Sequence, residues 1–145
     1  MVKSGLNLIK YVVKEDSEHL PTMAKPFLKW AGGKGRLLSQ LKNYYPAGLH
    51  SGKIDSYIEP FIGGGAVFFD IIQNFKIKTA YISDLNDDLI LVYQVIQKKA
   101  EDLCFMLGKY QEKIEKLNDD DRKKLYYEIR QNFNNQKLKN YLEFL

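Results

Sequence analysis

Residues 58–69 read Ile-Glu-Pro-Phe-Ile-Gly-Gly-Gly-Ala-Val-Phe-Phe. The extended pattern of 56–61 predicts a strand, and the apolar-rich run from Ala66 to Phe75 predicts a helix. Glycines at such a turn let the backbone approach a ligand closely, and the start of the helix supplies unpaired N–H groups. The stretch therefore predicts a strand, a tight turn and a helix that together cradle a cofactor.

A second strand is predicted after this helix. Thr79 to Ser83 alternates β-branched and aromatic residues, so the order β-α-β favours a parallel sheet. Asp84 follows at the end of this strand, where a carboxylate can accept hydrogen bonds from both hydroxyls of a ribose. That position favours an adenosine-containing cofactor, but Asp84 could equally do no more than cap the next helix.

Two common nucleotide-binding motifs are incomplete. The dinucleotide fingerprint G-x-G-x-x-G fails because Phe68 occupies its third glycine position, and no G-x-x-x-x-G-K-[ST] run exists around 32–36. Hydrolysis of ATP or GTP through the Gly-Lys-Gly-Arg turn at 33–36 would lack the Ser or Thr that binds magnesium. The turn does expose backbone and a cation, which could meet a carboxylate, a phosphate or an acidic neighbour.

The rest of the chain predicts a leader and helices. Residues 1–22 are polar and weakly patterned, and we expect a loosely attached leader there. A short helix is predicted over 35–44, and three helices are predicted after Asp84. Apolar positions recur on these three helices at helical spacing and predict core packing, and Cys104 is predicted to be buried with them. The positions are Leu89, Ile90, Val92, Tyr93 and Ile96, then Leu103, Met106, Leu107, Tyr110, Ile114 and Leu117, and last Leu125, Tyr126, Ile129 and Phe133.

Composition limits the class of protein. With 145 residues, of which 45% are hydrophobic and 28% charged, the chain suits one globular domain or one lobe of a larger one. One cysteine and two histidines argue against a structural zinc site, so no metal is predicted. No apolar run approaches the ~20 residues that span a bilayer, so we expect no membrane association and a cytoplasmic protein.

Positive charge is concentrated in one segment. The net charge is +4, and residues 25–54 include six basic residues, no acidic one and several aromatic residues. Basic and aromatic residues together suit contact with phosphate and stacking on bases. A solvated face that happens to lack acids would account for the segment equally well.

Four segments carry more information through their order than any one of them alone. They are Lys-Pro-Phe-Leu-Lys-Trp-Ala-Gly-Gly-Lys at 25–34, Glu-Pro-Phe-Ile-Gly-Gly-Gly-Ala-Val-Phe-Phe at 59–69, Ser-Asp-Leu-Asn-Asp-Asp-Leu-Ile at 83–90 and Tyr-Tyr-Glu-Ile-Arg-Gln-Asn-Phe-Asn at 126–134. Over 25–145 the chain resembles the Dam-type DNA adenine-N6 methyltransferases of the D12 family. The resemblance implies a Rossmann-like α/β fold with a seven-stranded, mostly parallel sheet. It also implies transfer of a methyl group from S-adenosyl-L-methionine (SAM) to N6 of adenine at specific sites in double-stranded DNA.

The resemblance also implies roles for individual residues. The cofactor residues would be Trp30 and Lys34 as contacts, Phe61, Gly63 and Gly65 as the wall beside the methionine part, and Asp84 at the ribose. Lys29 and Arg36 stand beside these motifs in the acid-free segment, and we expect them to touch DNA phosphate. Glu59 could lie near the cofactor or pair with a lysine. Residues 23–100 would form the SAM-binding part, and 101–145 the helical start of the target-recognition region.

One family motif is missing from this sequence. The catalytic motif Asp-Pro-Pro-Tyr needs a Pro-Pro pair, and the prolines here stand alone at positions 21, 26, 46 and 60. No catalytic residue is therefore predicted. We expect an N-terminal portion that is inactive by itself and acts with a C-terminal portion in the same or a second chain. The alternative is a non-catalytic module that binds a nucleoside or nucleic acid, and the sequence also leaves open a role in restriction-modification or a solitary one.

Overall fold

The structure, a computed structural model, describes residues 7–13, 23–30 and 32–137. The chain forms two compact units that divide between Gln97 and Lys98. The first unit contains the sheet and the glycine-rich motifs, and the second is helical. No helix within the described ranges is both long enough and apolar enough to cross a membrane.

Three strands form the sheet of the first unit: β1 (Ile9–Val12), β2 (Ser56–Glu59) and β3 (Thr79–Ile82). β3 lies in the middle, parallel to β2 and antiparallel to β1. In the parallel pair Ser56 lies opposite Thr79, and Glu59 lies opposite Ile82. The prediction of two parallel strands is confirmed, and β1 makes the described part of the sheet mixed.

The strand β1 corrects the prediction of a loosely attached leader over 1–22. Ile9 is buried and pairs with Ile82, and Tyr11 pairs with Ala80 and packs against the core. Side chains alternate between the faces of a strand, so Lys10 remains exposed between them. Only two residues of this strand face inward, and so short an alternating pattern does not predict a strand within a polar stretch of sequence. Residues 1–6 and 14–22 of the predicted leader lie outside the described ranges.

The segment that precedes β2 folds into short helical pieces. Two 3-10 turns, Lys34–Leu37 and Lys42–Tyr44, flank the helix α1 (Leu38–Leu41), and α2 (Ala47–His50) follows. The continuous run from 34 to 44 confirms the predicted helix, although only its middle is α-helical. An ion pair ties this run to the rest of the unit, because the Lys42 ammonium lies 2.8 Å from the buried carboxylate of Asp70.

The core of the first unit is built by one face of the sheet, α3 (Ala66–Asn74) and the beginning of α4 (Asp87–Glu115). α3 matches the predicted helix, and its buried residues Phe68 and Ile71 lie three positions apart on one face. α4 contributes Leu89, Ile90 and Tyr93 at similar spacing, as predicted. The buried apolar residues are Ile9, Leu49, Ile62, Phe68, Ile71, Ile77, Ala80, Ile82, Leu89, Ile90 and Tyr93.

The second unit contains the remainder of α4 and α5 (Asp119–Lys137). Lys99 interrupts α4 with φ of −143° and ψ of 40°, so the first two predicted helices form one broken element. Asn118 caps α5, because its side-chain oxygen accepts the N–H of Asp121 at 2.9 Å. The predicted acidic first turn of this helix is present at Asp119, Asp120 and Asp121. Residues 138–145 of the predicted recognition region lie outside the described ranges.

The core packing predicted for the second unit is wrong at most positions. Met106, Leu107 and Tyr110 are 50, 57 and 43% exposed, and Cys104 is exposed as well. The exposed set also includes Ile114, Tyr126, Ile129 and Phe133, whereas Leu125 is buried. The two helices described in this unit bury few of each other's apolar residues, so helical spacing here does not translate into burial.

Candidate cofactor-binding site

A cavity of about 770 Å³ opens where the parallel strands β2 and β3 end. A cleft of this size suits a small-molecule ligand, and ligands of open α/β sheets bind beyond the carboxyl ends of the strands. We refer to it as the cofactor cavity. Its lining includes all eight residues predicted to contact the cofactor or DNA, namely Lys29, Trp30, Lys34, Arg36, Phe61, Gly63, Gly65 and Asp84. Three separate segments of the sequence thus meet at one place.

The turn between β2 and α3 forms one wall of the cofactor cavity. Gly63 and Gly65 have φ angles of 50° and 76°, a left-handed conformation that side chains other than glycine rarely adopt. The N–H of Gly65 donates to the carbonyl of Ile62 at 2.9 Å and closes the turn. A Cβ atom on Gly65 would lie 2.5 Å from the Tyr93 hydroxyl oxygen, so the position has no room for a side chain. The turn therefore requires glycine for both backbone and steric reasons.

The segment that ends at Trp30 packs over this turn. A Cβ atom on Gly63 would lie 3.2 Å from Cδ1 of the Trp30 indole, and one on Gly64 would lie 3.3 Å from the Leu28 carbonyl oxygen. Trp30 nevertheless keeps part of its surface exposed and lines the cofactor cavity. The indole is thus held by the glycine turn on one side and is accessible to a ligand.

Asp84 braces the glycine turn from the end of β3. Its Oδ2 accepts the N–H of Gly63 at 3.0 Å, and its Oδ1 accepts the N–H of Asn86 at 3.0 Å. The helix cap itself is Asn86, whose side-chain oxygen accepts the N–H of Leu89. Asp84 is therefore not the residue that caps α4. Each carboxylate oxygen has a second lone pair, so the group can accept further hydrogen bonds from a ligand.

Glu59 is buried at the end of β2 and also lines the cofactor cavity. Its Oε2 accepts the Tyr57 hydroxyl at 2.9 Å, and its Oε1 lies 3.8 Å from the Lys34 ammonium. Burial raises the pKa of Glu59, while Tyr57, Lys34 and the N–H of Phe68 act in the opposite direction. The pairing with a lysine is thus confirmed, whereas a place near the cofactor stays a prediction that the position of Glu59 in the cavity lining allows.

Sequence reasoning missed the second role of Tyr93. The residue was predicted as part of an apolar helix face, and it is indeed buried. Its hydroxyl donates to the Gly63 carbonyl at 3.1 Å, and its ring meets Phe27 edge to face with 5.1 Å between centroids. Burial raises the pKa of Tyr93, and the nearby carboxylates Glu59 and Asp84 add to this effect. The residue type alone could have indicated this hydrogen bond, because a buried tyrosine needs a partner for its hydroxyl.

The basic segment at 25–54 does not form one uniform surface. Lys29, Lys34 and Arg36 line the cofactor cavity, and Lys42 is paired with Asp70 instead. The three cavity residues face an environment that also contains the carboxylates of Glu59 and Asp84. In the part of the chain that the structure describes, no group of three or more His, Cys, Asp and Glu side chains could bind a metal ion.

Comparison with known proteins gives consistent matches to one class of enzyme. The family model for D12 class N6 adenine-specific DNA methyltransferases matches residues 30–145. The type II methyltransferase M.MjaIII of Methanocaldococcus jannaschii is 44% identical over 113 residues, which cover 78% of this chain and 39% of that relative. A DNA adenine methylase of Serratia marcescens is 34% identical over 111 residues, which cover 76% of this chain and 35% of that relative.

A third relative is the DNA N-6-adenine-methyltransferase of Escherichia phage P1, 33% identical over 130 residues. The match covers 85% of this chain and 15% of the phage protein. The chain thus spans well under half the length of these relatives. No solved structure matches the chain.

Proposed function

Because the chain belongs to the D12 class of N6 adenine-specific DNA methyltransferases, we propose that it forms the SAM-binding part of an enzyme that methylates adenine at N6 in double-stranded DNA. The names of its relatives include both type II methyltransferases and DNA adenine methylases. The proposal therefore covers the reaction class and leaves open a restriction-modification or a solitary role.

The observation that carries the proposal is the composition of the cofactor cavity. An aromatic ring from Trp30, a glycine turn and the carboxylate of Asp84 line the same space. SAM carries an adenine ring that suits an aromatic surface and a ribose whose hydroxyls suit a carboxylate acceptor. Its methionine part suits a backbone that a ligand can approach closely. The residues present thus fit the cofactor.

We assign each group of the cavity a binding role. Asp84 accepts hydrogen bonds from the ribose hydroxyls with the lone pairs that Gly63 and Asn86 leave unused. Trp30 provides the aromatic contact, and Lys34 supplies a cation for the carboxylate of the amino acid group. Phe61, Gly63 and Gly65 form the wall beside the methionine part. Bound SAM supplies the electrophilic methyl group, and these residues fix its position.

The proposal extends to the whole fold and to the missing catalytic motif. The unit β2-α3-β3 supports a Rossmann-like SAM-dependent methyltransferase fold, of which the described residues form a part. The sequence has no Pro-Pro pair, so the Asp-Pro-Pro-Tyr motif that holds the target adenine has to come from further residues of the same or a second chain. The family's adenine is flipped out of the duplex to reach that motif. Positioning of the two reactants then provides most of the catalysis.

Lys29 and Arg36 are the proposed contacts to DNA phosphate. Both side chains are exposed and lie at the cofactor cavity, where the target strand has to approach the methyl group. A cation that neutralises one phosphate contributes about one unit to the slope of log affinity against log salt concentration. DNA and SAM meet in the cytoplasm, which is the proposed location.

Ligand titration followed by the emission of Trp30 tests the SAM assignment, because the chain contains one tryptophan. SAM should give a saturable change and ATP should not. Asp84→Asn should weaken SAM binding about 10- to 100-fold, since hydrogen bonds to a charged group contribute roughly 1.5–3 kcal/mol. Asp87→Asn is the matched control, because Asp87 is exposed and does not line the cavity. Equal responses to SAM and ATP, or no response to SAM, would contradict the proposal.

The second candidate is a binding module without catalysis, and the absence of a Pro-Pro pair favours it. A module that binds nucleic acid should bind DNA with an affinity that falls as the salt concentration rises, whereas a module that binds only a nucleoside should not bind DNA. Lys29→Ala should lower the salt slope by about one relative to the parent chain, and Lys78→Ala should leave it unchanged. Addition of the missing motif on a second polypeptide should restore N6 methylation only if the chain is the SAM-binding part of the enzyme.

A further inference from the structure

A buried carboxylate connects two walls of the cofactor cavity. Glu59 is 7% exposed and ends β2, directly before the glycine turn. The Tyr57 hydroxyl donates to its Oε2 at 2.9 Å. The backbone N–H of Phe68 lies near enough to the carboxylate to lower its pKa. These contacts fix the carboxylate from the side of the core. Its other oxygen, Oε1, is directed to the Lys34 ammonium at 3.8 Å.

Lys34 reaches the carboxylate from a different element, the 3-10 turn Lys34–Leu37. Its ammonium donates to the carbonyl of Phe61 at 3.2 Å. An ammonium has three N–H donors, and the Phe61 carbonyl engages one of them. Glu59 attracts the charge from 3.8 Å, beyond hydrogen-bond distance, so donors remain for a ligand. The Lys34 side chain is 44% exposed and has a long flexible stem, so without anchors it would sample many conformations.

We propose that Glu59 is a positioning residue, which holds the ammonium of Lys34 in the cofactor cavity while Tyr57 fixes the carboxylate. The inference rests on the proposed function, because SAM is the ligand that Lys34 would meet. Fixing the lysine before the ligand arrives reduces the conformational entropy that binding has to overcome. Glu59 thus acts on the ligand through Lys34.

A purely structural role for Glu59 makes a different prediction. Gly65 has no side chain with which to cap α3, and the carboxylate of Glu59 lies near the N–H of Phe68, the third residue of that helix. Glu59→Gln keeps an oxygen that can accept the Tyr57 hydroxyl and face the N–H of Phe68. The substitution removes the negative charge that attracts Lys34. It therefore separates the positioning role from the capping role.

A double-mutant cycle on SAM affinity tests the inference in the full chain. Titration calorimetry would compare the parent, Glu59→Gln, Lys34→Met and the double variant. Glu59→Gln should weaken SAM binding about three- to tenfold in the parent and should have no further effect beside Lys34→Met. Equal weakening in both backgrounds, or none in the parent, would overturn the inference. Asp70→Asn is the matched control, since this buried acid faces Lys42 away from the cavity lining and should not change SAM affinity.

A second measurement needs no SAM. The pKa of Glu59, followed by the carboxyl ¹³C shift, should rise in Lys34→Met because a cation has been removed, and in Tyr57→Phe because a hydrogen bond has been removed. Tyr45 and Tyr93 also face Glu59 and are unchanged in these variants. An unchanged pKa in Lys34→Met would show that the ion pair does not form and would overturn the inference.

The two readouts distinguish failure of the inference from failure of the proposed function. A parent chain that does not bind SAM overturns both. A parent chain that binds SAM, with Glu59 and Lys34 uncoupled in the cycle, overturns the inference and leaves the proposed function standing.

Discussion

Substitution of Gly65 by alanine tests the physical account of the glycine turn. Gly65 has a φ of 76°, and the added Cβ atom would lie 2.5 Å from the Tyr93 hydroxyl oxygen and 3.0 Å from a ring carbon of Phe69. The left-handed backbone costs an alanine roughly 1–2 kcal/mol, and overpacking costs roughly 1–3 kcal/mol more. We therefore expect Gly65→Ala to lower the free energy of unfolding by about 2–5 kcal/mol.

Gly52→Ala provides the matched control, because Gly52 has a similar φ of 69° and its Cβ atom would meet only Cδ of Lys76, at 3.7 Å. That distance is ordinary van der Waals contact, so only the backbone cost of roughly 1–2 kcal/mol should remain. Urea unfolding followed by circular dichroism gives both values under one set of conditions. Equal losses in the two variants would refute the claim that the space beside Tyr93 is closed.

Three further outcomes follow from the charged and phenolic groups. Lys42→Met should lower the free energy of unfolding, measured by urea unfolding, by about 1–2 kcal/mol, because it leaves the buried carboxylate of Asp70 without its cation. Lys78→Met removes an exposed ion pair with Asp55 and should change this free energy by less than about 0.5 kcal/mol. Asp70→Asn should lower the pKa of Tyr45 from about 12, because the Asp70 carboxylate contributes to the raised value. The pKa should stay above 10, because burial is the larger cause. Absorbance at 295 nm would measure this pKa, and a higher pKa in the variant would contradict the prediction. Burial raises the pKa of Glu59 in the folded state, so its contribution to stability is complete below the unfolded value of 4.5 and is lost as pH rises through the folded value. The unfolding free energy of Glu59→Gln relative to the parent should therefore increase over that pH range, and a decrease would contradict the sign.

The part of the site that the sequence predicted is the part that depends on local chemistry. The three glycines that follow β2 and the acid that follows β3 had to meet, because parallel neighbours bring their carboxyl ends to one edge of the sheet. The network around Glu59 could not be predicted in the same way. Tyr57, Lys34 and Phe68 come from three elements, and their contact depends on how these elements pack.

The wrong predictions of burial arise where a residue's local sequence pattern and its tertiary contacts disagree. Cys104 and Met106 lie at helical positions that suit a core, yet the described helices of the second unit do not enclose them. Ile9 shows the reverse case. Its surroundings in the sequence are weakly patterned, and its burial comes from pairing with Ile82 at the far end of the unit.

The pairing of β1 with β3 sets an order for folding. Both Ile9 and Glu59 lie opposite Ile82, but Glu59 is much nearer to Ile82 in the sequence. Closing the shorter loop costs less chain entropy, so the parallel pair should form first and β1 should join last. During synthesis the N-terminal strand has to wait for nearly the whole first unit to emerge, and until it docks the edge of β3 is open to strands of other molecules. By pairing with β3, β1 removes one open strand edge at which other molecules could add.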